Sequence, residues 1–160
     1  MLRGLDTARV RCVVVGGVAA AAQGATYVTH DLDICYDPAE ENVTSLAKLL
    51  ASWHAYPRGV ELGLPFYMDP KTFRTTPVMA LQTSEGAIDV FDRINGVGEF
   101  PAVVAASTRL EAFGLRFRVL TLPALIRAKR AAGRPKDVAQ LPELEALVAL
   151  RKARGGKKER

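Results

Sequence analysis

Asp31 and Asp33 stand one residue apart in the run Asp31-Leu32-Asp33-Ile34-Cys35, fourteen positions after Gly17. Side chains alternate across a strand, so the two carboxylates point to one side while Leu32 and Ile34 point to the other. Two carboxylates held this close repel each other unless a cation lies between them. Hard divalent ions take oxygen ligands from one or two carboxylates and complete their shell with water and phosphate oxygens. The chemistry suggested is metal-dependent chemistry on phosphate. Asp-x-Asp alone is common at solvated strand ends, so the segment before it carries much of the weight.

That segment supplies the elements that position the pair. Residues 10–15 (Val-Arg-Cys-Val-Val-Val) read as a buried strand. Gly16-Gly17 breaks it, residues 18–23 favour a helix, and Gly24 suits its end. A strand, a glycine turn and a helix start bring unpaired backbone N–H groups to one point, which suits a phosphate. Residues 79–83 and 87–91 read as a hairpin joined through Ser84-Glu85-Gly86. Asp89 faces away from Ile88 and Val90 on the second of these strands. If that strand lies beside the first aspartate strand, three carboxylates converge, enough for two divalent ions and an in-line displacement. Asp92, on the opposite face, is a weaker candidate.

A second cluster is Lys129-Arg130-Ala131-Ala132-Gly133-Arg134-Pro135-Lys136-Asp137. Leu122, Leu125 and Ile126 mark the buried stripe of a helix, and Lys129 falls on it. Such a lysine either snorkels outward or reaches a buried anion. Gly133 ends this helix and Pro135 begins another, placing Lys136 and Asp137 in its first turn. Asp137 suits the helix dipole there, whereas Lys136 opposes it and invites a functional reason, such as neutralising a triphosphate.

The remaining elements are ordinary. Residues 38–55 read as an amphipathic helix with Asp37 as N-cap, and 56–76 as a long irregular connection rich in Pro and Gly. Residues 100–107 read as a short helix, and 109–113 and 116–120 as strands. Helices follow over 122–132 and from 135 towards 153, the second interrupted near Pro142. The fold class is α/β (α+β): a mixed, partly antiparallel twisted sheet with flanking and C-terminal helices.

A chain of 160 residues, 49% hydrophobic and 24% charged, fits one globular domain over 1–150. The net charge of +5 resides in residues 151–160, and the first 150 residues balance at 16 basic and 16 acidic. The tail reads as disordered and could add salt-dependent affinity for RNA or DNA. No bilayer-length apolar run or secretory signal is seen, so a cytoplasmic protein with no membrane partner is expected. Cys12 and Cys35 read as reduced core residues. A Gly-x-Gly-x-x-Gly motif and a Walker A lysine are both absent.

Taken in order, Gly16-Gly17, Asp31-Leu32-Asp33-Ile34, Ile88-Asp89-Val90 and Lys129-x4-Arg134-x-Lys136-Asp137 resemble the nucleotidyltransferase superfamily, the polymerase-β-like fold. The resemblance covers most of residues 10–150. Within it, the chain is most similar to small bacterial AbiEii-like proteins, the abortive-infection nucleotidyltransferases of type IV toxin–antitoxin systems. The resemblance implies transfer of an NMP from an NTP, such as ATP, to a hydroxyl on an RNA 3′ end (tRNA among them), a protein or a small molecule. It implies Mg²⁺, with Mn²⁺ as an alternative, bound by Asp31, Asp33 and Asp89. Gly16, Gly17, Thr29, Lys129, Arg134 and Lys136 would contact the nucleotide, and Asp137 would be a further catalytic base. An antitoxin or a second copy of the chain are the implied partners. Tyr27 stands where many relatives carry Arg, which would alter nucleotide affinity. A non-catalytic nucleotide-binding module and a tail-mediated nucleic-acid binder are the alternatives.

Overall fold

The structure, a computed structural model, describes residues 1–26, 28–61, 63–112 and 114–155. Its elements are α1 (Leu2–Thr7), β1 (Cys12–Val14), α2 (Gly16–Ala21), β2 (Asp31–Tyr36) and α3 (Glu40–Ser52). Then come β3 (Tyr56–Pro57), α4 (Pro70–Thr75), β4 (Met79–Thr83), β5 (Gly86–Phe91), β6 (Arg93–Ile94) and β7 (Gly98–Glu99). The chain continues through α5 (Phe100–Ala105), β8 (Ser107–Ala112), β9 (Leu115–Leu120), α6 (Leu122–Ala132) and α7 (Pro135–Gly155).

Seven strands form one sheet in the order β3-β4-β5-β2-β1-β9-β8, and β6 and β7 pair separately. The sheet is mixed: β2 runs parallel to β5 and β1 parallel to β9, while the other neighbours are antiparallel. This is the α/β class that the pattern of the chain suggests. Its centre is apolar because β1, β2 and β5 are rich in Val and Ile. Val13, Ile34, Ile88 and Val90 are fully buried, with Leu46 and Leu50 of α3 in the same core. Asn42, also buried, pins α3 to the start of β1: its amide donates to the Arg11 and Asp37 carbonyls and its Oδ1 accepts from the Arg11 N–H.

Several boundaries differ from the expectation. α3 starts at Glu40 with Ala39 as its N-cap, because the Asp37 carboxylate is already committed to the Ala39 N–H and to the Arg11 guanidinium. The stretch 56–76 is more ordered than its Pro and Gly content suggests. It opens with β3 and closes with α4, whose N-cap Asp69 accepts from the Thr72 N–H with Pro70 at the first position. α7 runs unbroken through Pro142, held by Leu144, which is fully buried, and by packing on α6. It extends to Gly155, two residues past the expected end near 153, so the helix takes in the first residues of the basic tail. Positions 27 and 113, and the tail from 156 to 160, lie outside the described residues, so Tyr27 is among those not described. Both cysteines are free, and no helix among the described residues is long and apolar enough to cross a membrane.

Candidate active site

The parallel pairing of β2 with β5 sets the register that matters: Asp31 lies opposite Ala87, and Asp33 opposite Asp89. Directly opposed residues share a face, so the pleat that buries Leu32, Ile34, Ile88 and Val90 turns all three aspartates to the other side. Ligand oxygens of Asp31, Asp33 and Asp89 lie within 4.8 Å of one another. At an effective dielectric of about 20, each pair of full charges at that spacing costs roughly 3 kcal/mol. The donor set is three half-buried carboxylates facing one guanidinium, that of Arg58, so negative charge is in excess. It fits a hard divalent cation, whose preferred ligands are carboxylate oxygens.

The surroundings spread the three acidities apart. Burial, then the charges of Asp31 and Asp89, push Asp33 up to about 6, against relief from the Gly17 N–H and Lys136. Asp89 is also raised, chiefly by burial, with Arg58 pulling the other way. Asp31 is lowered, because the Thr29 hydroxyl donates to its Oδ1 at 2.6 Å. Thr29 thus orients Asp31.

The glycine turn is part of this packing. Gly16 sits at φ +57°, and a Cβ there would collide with the Asp33 carboxylate. A Cβ on Gly17 would come within 2.6 Å of the Thr29 Cβ. The Val15 N–H donates to the Asp33 carbonyl at 2.9 Å, tying the turn to β2. Both glycines therefore let backbone approach the carboxylates.

The second sequence cluster lines the same cleft of about 920 Å³, opposite the aspartates. Lys129 is buried and reaches an anion: its Nζ donates to Asp137 Oδ1 at 3.3 Å and to Gln140 Oε1. Arg134 Nε donates to Asp137 Oδ2 at 2.5 Å, so each oxygen of Asp137 has a cationic partner. Burial opposes ionisation of Asp137, but the Arg134 and Lys129 hydrogen bonds outweigh it and lower its pKa. Lys136 stays exposed, and its charge is felt by Asp31, Asp33 and Asp89. Asp92 stays out of the carboxylate cluster and pairs with Arg93.

Two residues of this site carry no sequence signal. Gln140 is one turn along α7 from Lys136 and reads as a surface residue. Arg58 follows β3, inside the stretch that reads as a connection, yet it donates to Asp89 Oδ1 and lies 4.0 Å from Asp31 Oδ2. Only the pairing of β3 and β4 against β5 brings it there.

Comparison with known proteins places this architecture. The structure is similar to the crystal structure of TM1012 from Thermotoga maritima, a protein itself proposed to be a nucleotidyltransferase. The match covers 97% of this chain and 88% of that one, with a TM-score of 0.50 and 19% sequence identity. The chain has a nucleotidyltransferase-like fold. No family model matches the sequence, and no curated protein does.

Proposed function

We propose that the protein is a divalent-metal-dependent nucleotidyltransferase that moves an NMP from an NTP to a hydroxyl acceptor. The observation that carries this reading is the register of β2 on β5, which sets Asp33 beside Asp89 and gathers three carboxylates against the Gly16-Gly17 turn. Similarity of fold supports it at the level of the general class.

Asp31, Asp33 and Asp89 would hold Mg²⁺ or Mn²⁺. When bound, such an ion supplies Lewis-acid polarisation of the phosphoryl oxygens and charge neutralisation of the leaving group. The chain's residues do the rest. Lys136 and Arg134 face the cleft as cations for the triphosphate. Gly16 and Gly17 keep side chains out of its path. The acceptor oxygen forms the new bond to the α-phosphorus, the bond to the bridging oxygen breaks, and pyrophosphate leaves. Asp89, beside Asp33 on the neighbouring strand, would take the acceptor's proton. Asp137, held ionised by two cations, is a poor base, and its role here is to fix Lys129 and Arg134. An RNA 3′ end, a protein side chain and a small molecule are all hydroxyl acceptors of the right class, and a toxin-like role would follow from either of the first two.

Incubating the protein with Mg²⁺, each labelled NTP and either tRNA or a cell lysate tests the proposal. Label should pass to one acceptor class, with release of pyrophosphate. If no acceptor is labelled and Asp33→Asn behaves like the wild type, the transferase reading fails.

A further inference from the structure

Arg58 differs from the other cations of the cleft in what it touches. Arg134 and Lys129 pair with Asp137, and Lys136 is exposed. Arg58 alone among the described cations makes ion pairs with the carboxylate cluster itself, through Asp89 Oδ1 and, at 4.0 Å, Asp31 Oδ2. Its position is built by the sheet. The Arg58 N–H donates to the Ala80 carbonyl at 2.8 Å, Ala80 pairs with Asp89, and Asp89 pairs with Asp33. One row across four segments thus ends with a guanidinium folded back over the acids. The backbone is anchored, but the next residue, Gly59, has φ +77° and open space around it. The Arg58 side chain is one-third exposed, so it can leave without unpacking the core.

We infer that Arg58 is a built-in counter-ion that holds the carboxylate cluster together before metal arrives and is displaced when metal and nucleotide bind. This rests on the transferase reading above and adds a coupling to it. The guanidinium pairs with two of the three carboxylates that would hold a divalent cation, and two cations held there at close range would repel each other. Metal alone must therefore expel Arg58 into water. A nucleotide changes that balance, because a guanidinium pairs well with phosphate oxygens and the triphosphate offers a new acceptor within the same cleft. Metal and nucleotide should then bind cooperatively, each tightening the other by the same factor.

Mn²⁺ binding measured by electron paramagnetic resonance, with and without a non-hydrolysable NTP, tests this without reference to turnover. For the wild type, the nucleotide should tighten Mn²⁺ binding about tenfold, within the usual range of coupling between sites. Arg58→Gln should bind Mn²⁺ alone about tenfold more tightly than the wild type and gain less when nucleotide is added. Equal or weaker binding of Mn²⁺ alone by Arg58→Gln, with the wild type still binding the ion, would overturn the counter-ion role and leave the transferase reading standing. If the wild type with nucleotide binds no more Mn²⁺ than Asp33→Asn does, both fall together. Arg58→Lys, which keeps the charge but loses the planar fork, should bind Mn²⁺ alone with an affinity between those of the other two.

Discussion

Asp33 and Asp137 line the same cleft and are both withdrawn from solvent, yet their surroundings treat the charge in opposite ways. Asp137 has a cation for each oxygen, Lys129 on one and Arg134 on the other, and its pKa is lowered. Asp33 has two further carboxylates as neighbours, one backbone N–H and the distant help of Lys136, and its pKa is raised to about 6. A compensated buried charge is a fastening, since its partners would be stranded without it. An undercompensated one keeps an open demand for positive charge. The contrast separates the part of the cleft that holds α6 and α7 together from the part proposed to receive an ion.

Substitutions on the two sides should fail in different ways, and the largest effect is expected on catalysis. Asp33→Asn should lower NMP transfer by about 10³-fold while leaving the fold intact, because a proposed metal ligand and its charge are lost together. Steady-state assays with the matched acceptor would read this, and full activity would erase the contrast. Asp137→Ala should instead cost ~3 kcal/mol of stability, since it leaves the buried Lys129 ammonium without its carboxylate. Urea unfolding would show it. If Asp137→Asn keeps full stability but loses transfer, Asp137 is a base and the division of labour is wrong.

A smaller effect lies in the pH dependence of the metal-free protein. Asp33 gives up its proton at about 6 in the folded chain and near 3.8 when unfolded. The folded state therefore keeps the extra proton between those values, and stability is lost as pH rises through that window. Asp33→Asn should remove this loss and leave the metal-free protein ~3 kcal/mol more stable at pH 7. Thermal unfolding from pH 4 to 7 with a chelator present measures it, and no difference between variant and wild type would count against the raised pKa. Smallest is Gly17→Ala, where the new methyl presses on Thr29 at 2.6 Å. A cost of ~1 kcal/mol is expected from overpacking, with a larger relative loss of transfer as Thr29 shifts Asp31. Comparing Tm with activity for this variant would show whether the turn serves the site or only the fold.

The half of the site carried by local patterns was legible in the sequence. Alternation on β2 and β5 gave the facing of Asp31, Asp33 and Asp89, and the apolar stripe of α6 placed Lys129 on its buried side. What the sequence left open was set by long-range pairing. Whether Lys129 snorkels or meets an anion depends on how α7 lies across α6. Arg58 enters the site only because β3 pairs with β4, and a two-residue strand containing a proline has no periodicity to detect. α4 was hidden for a different reason: the glycines and prolines before it masked six helical residues.

Three carboxylates from two strands are proposed to act as one cation site. Diffraction from crystals grown with Mn²⁺ and a non-hydrolysable NTP, collected at the manganese edge, tests that most directly. An anomalous peak is expected within bonding distance of Asp31, Asp33 and Asp89, with the Arg58 guanidinium withdrawn from Asp89. Manganese bound elsewhere, with Arg58 still paired to Asp89 and the triphosphate away from the Gly16-Gly17 turn, would contradict it.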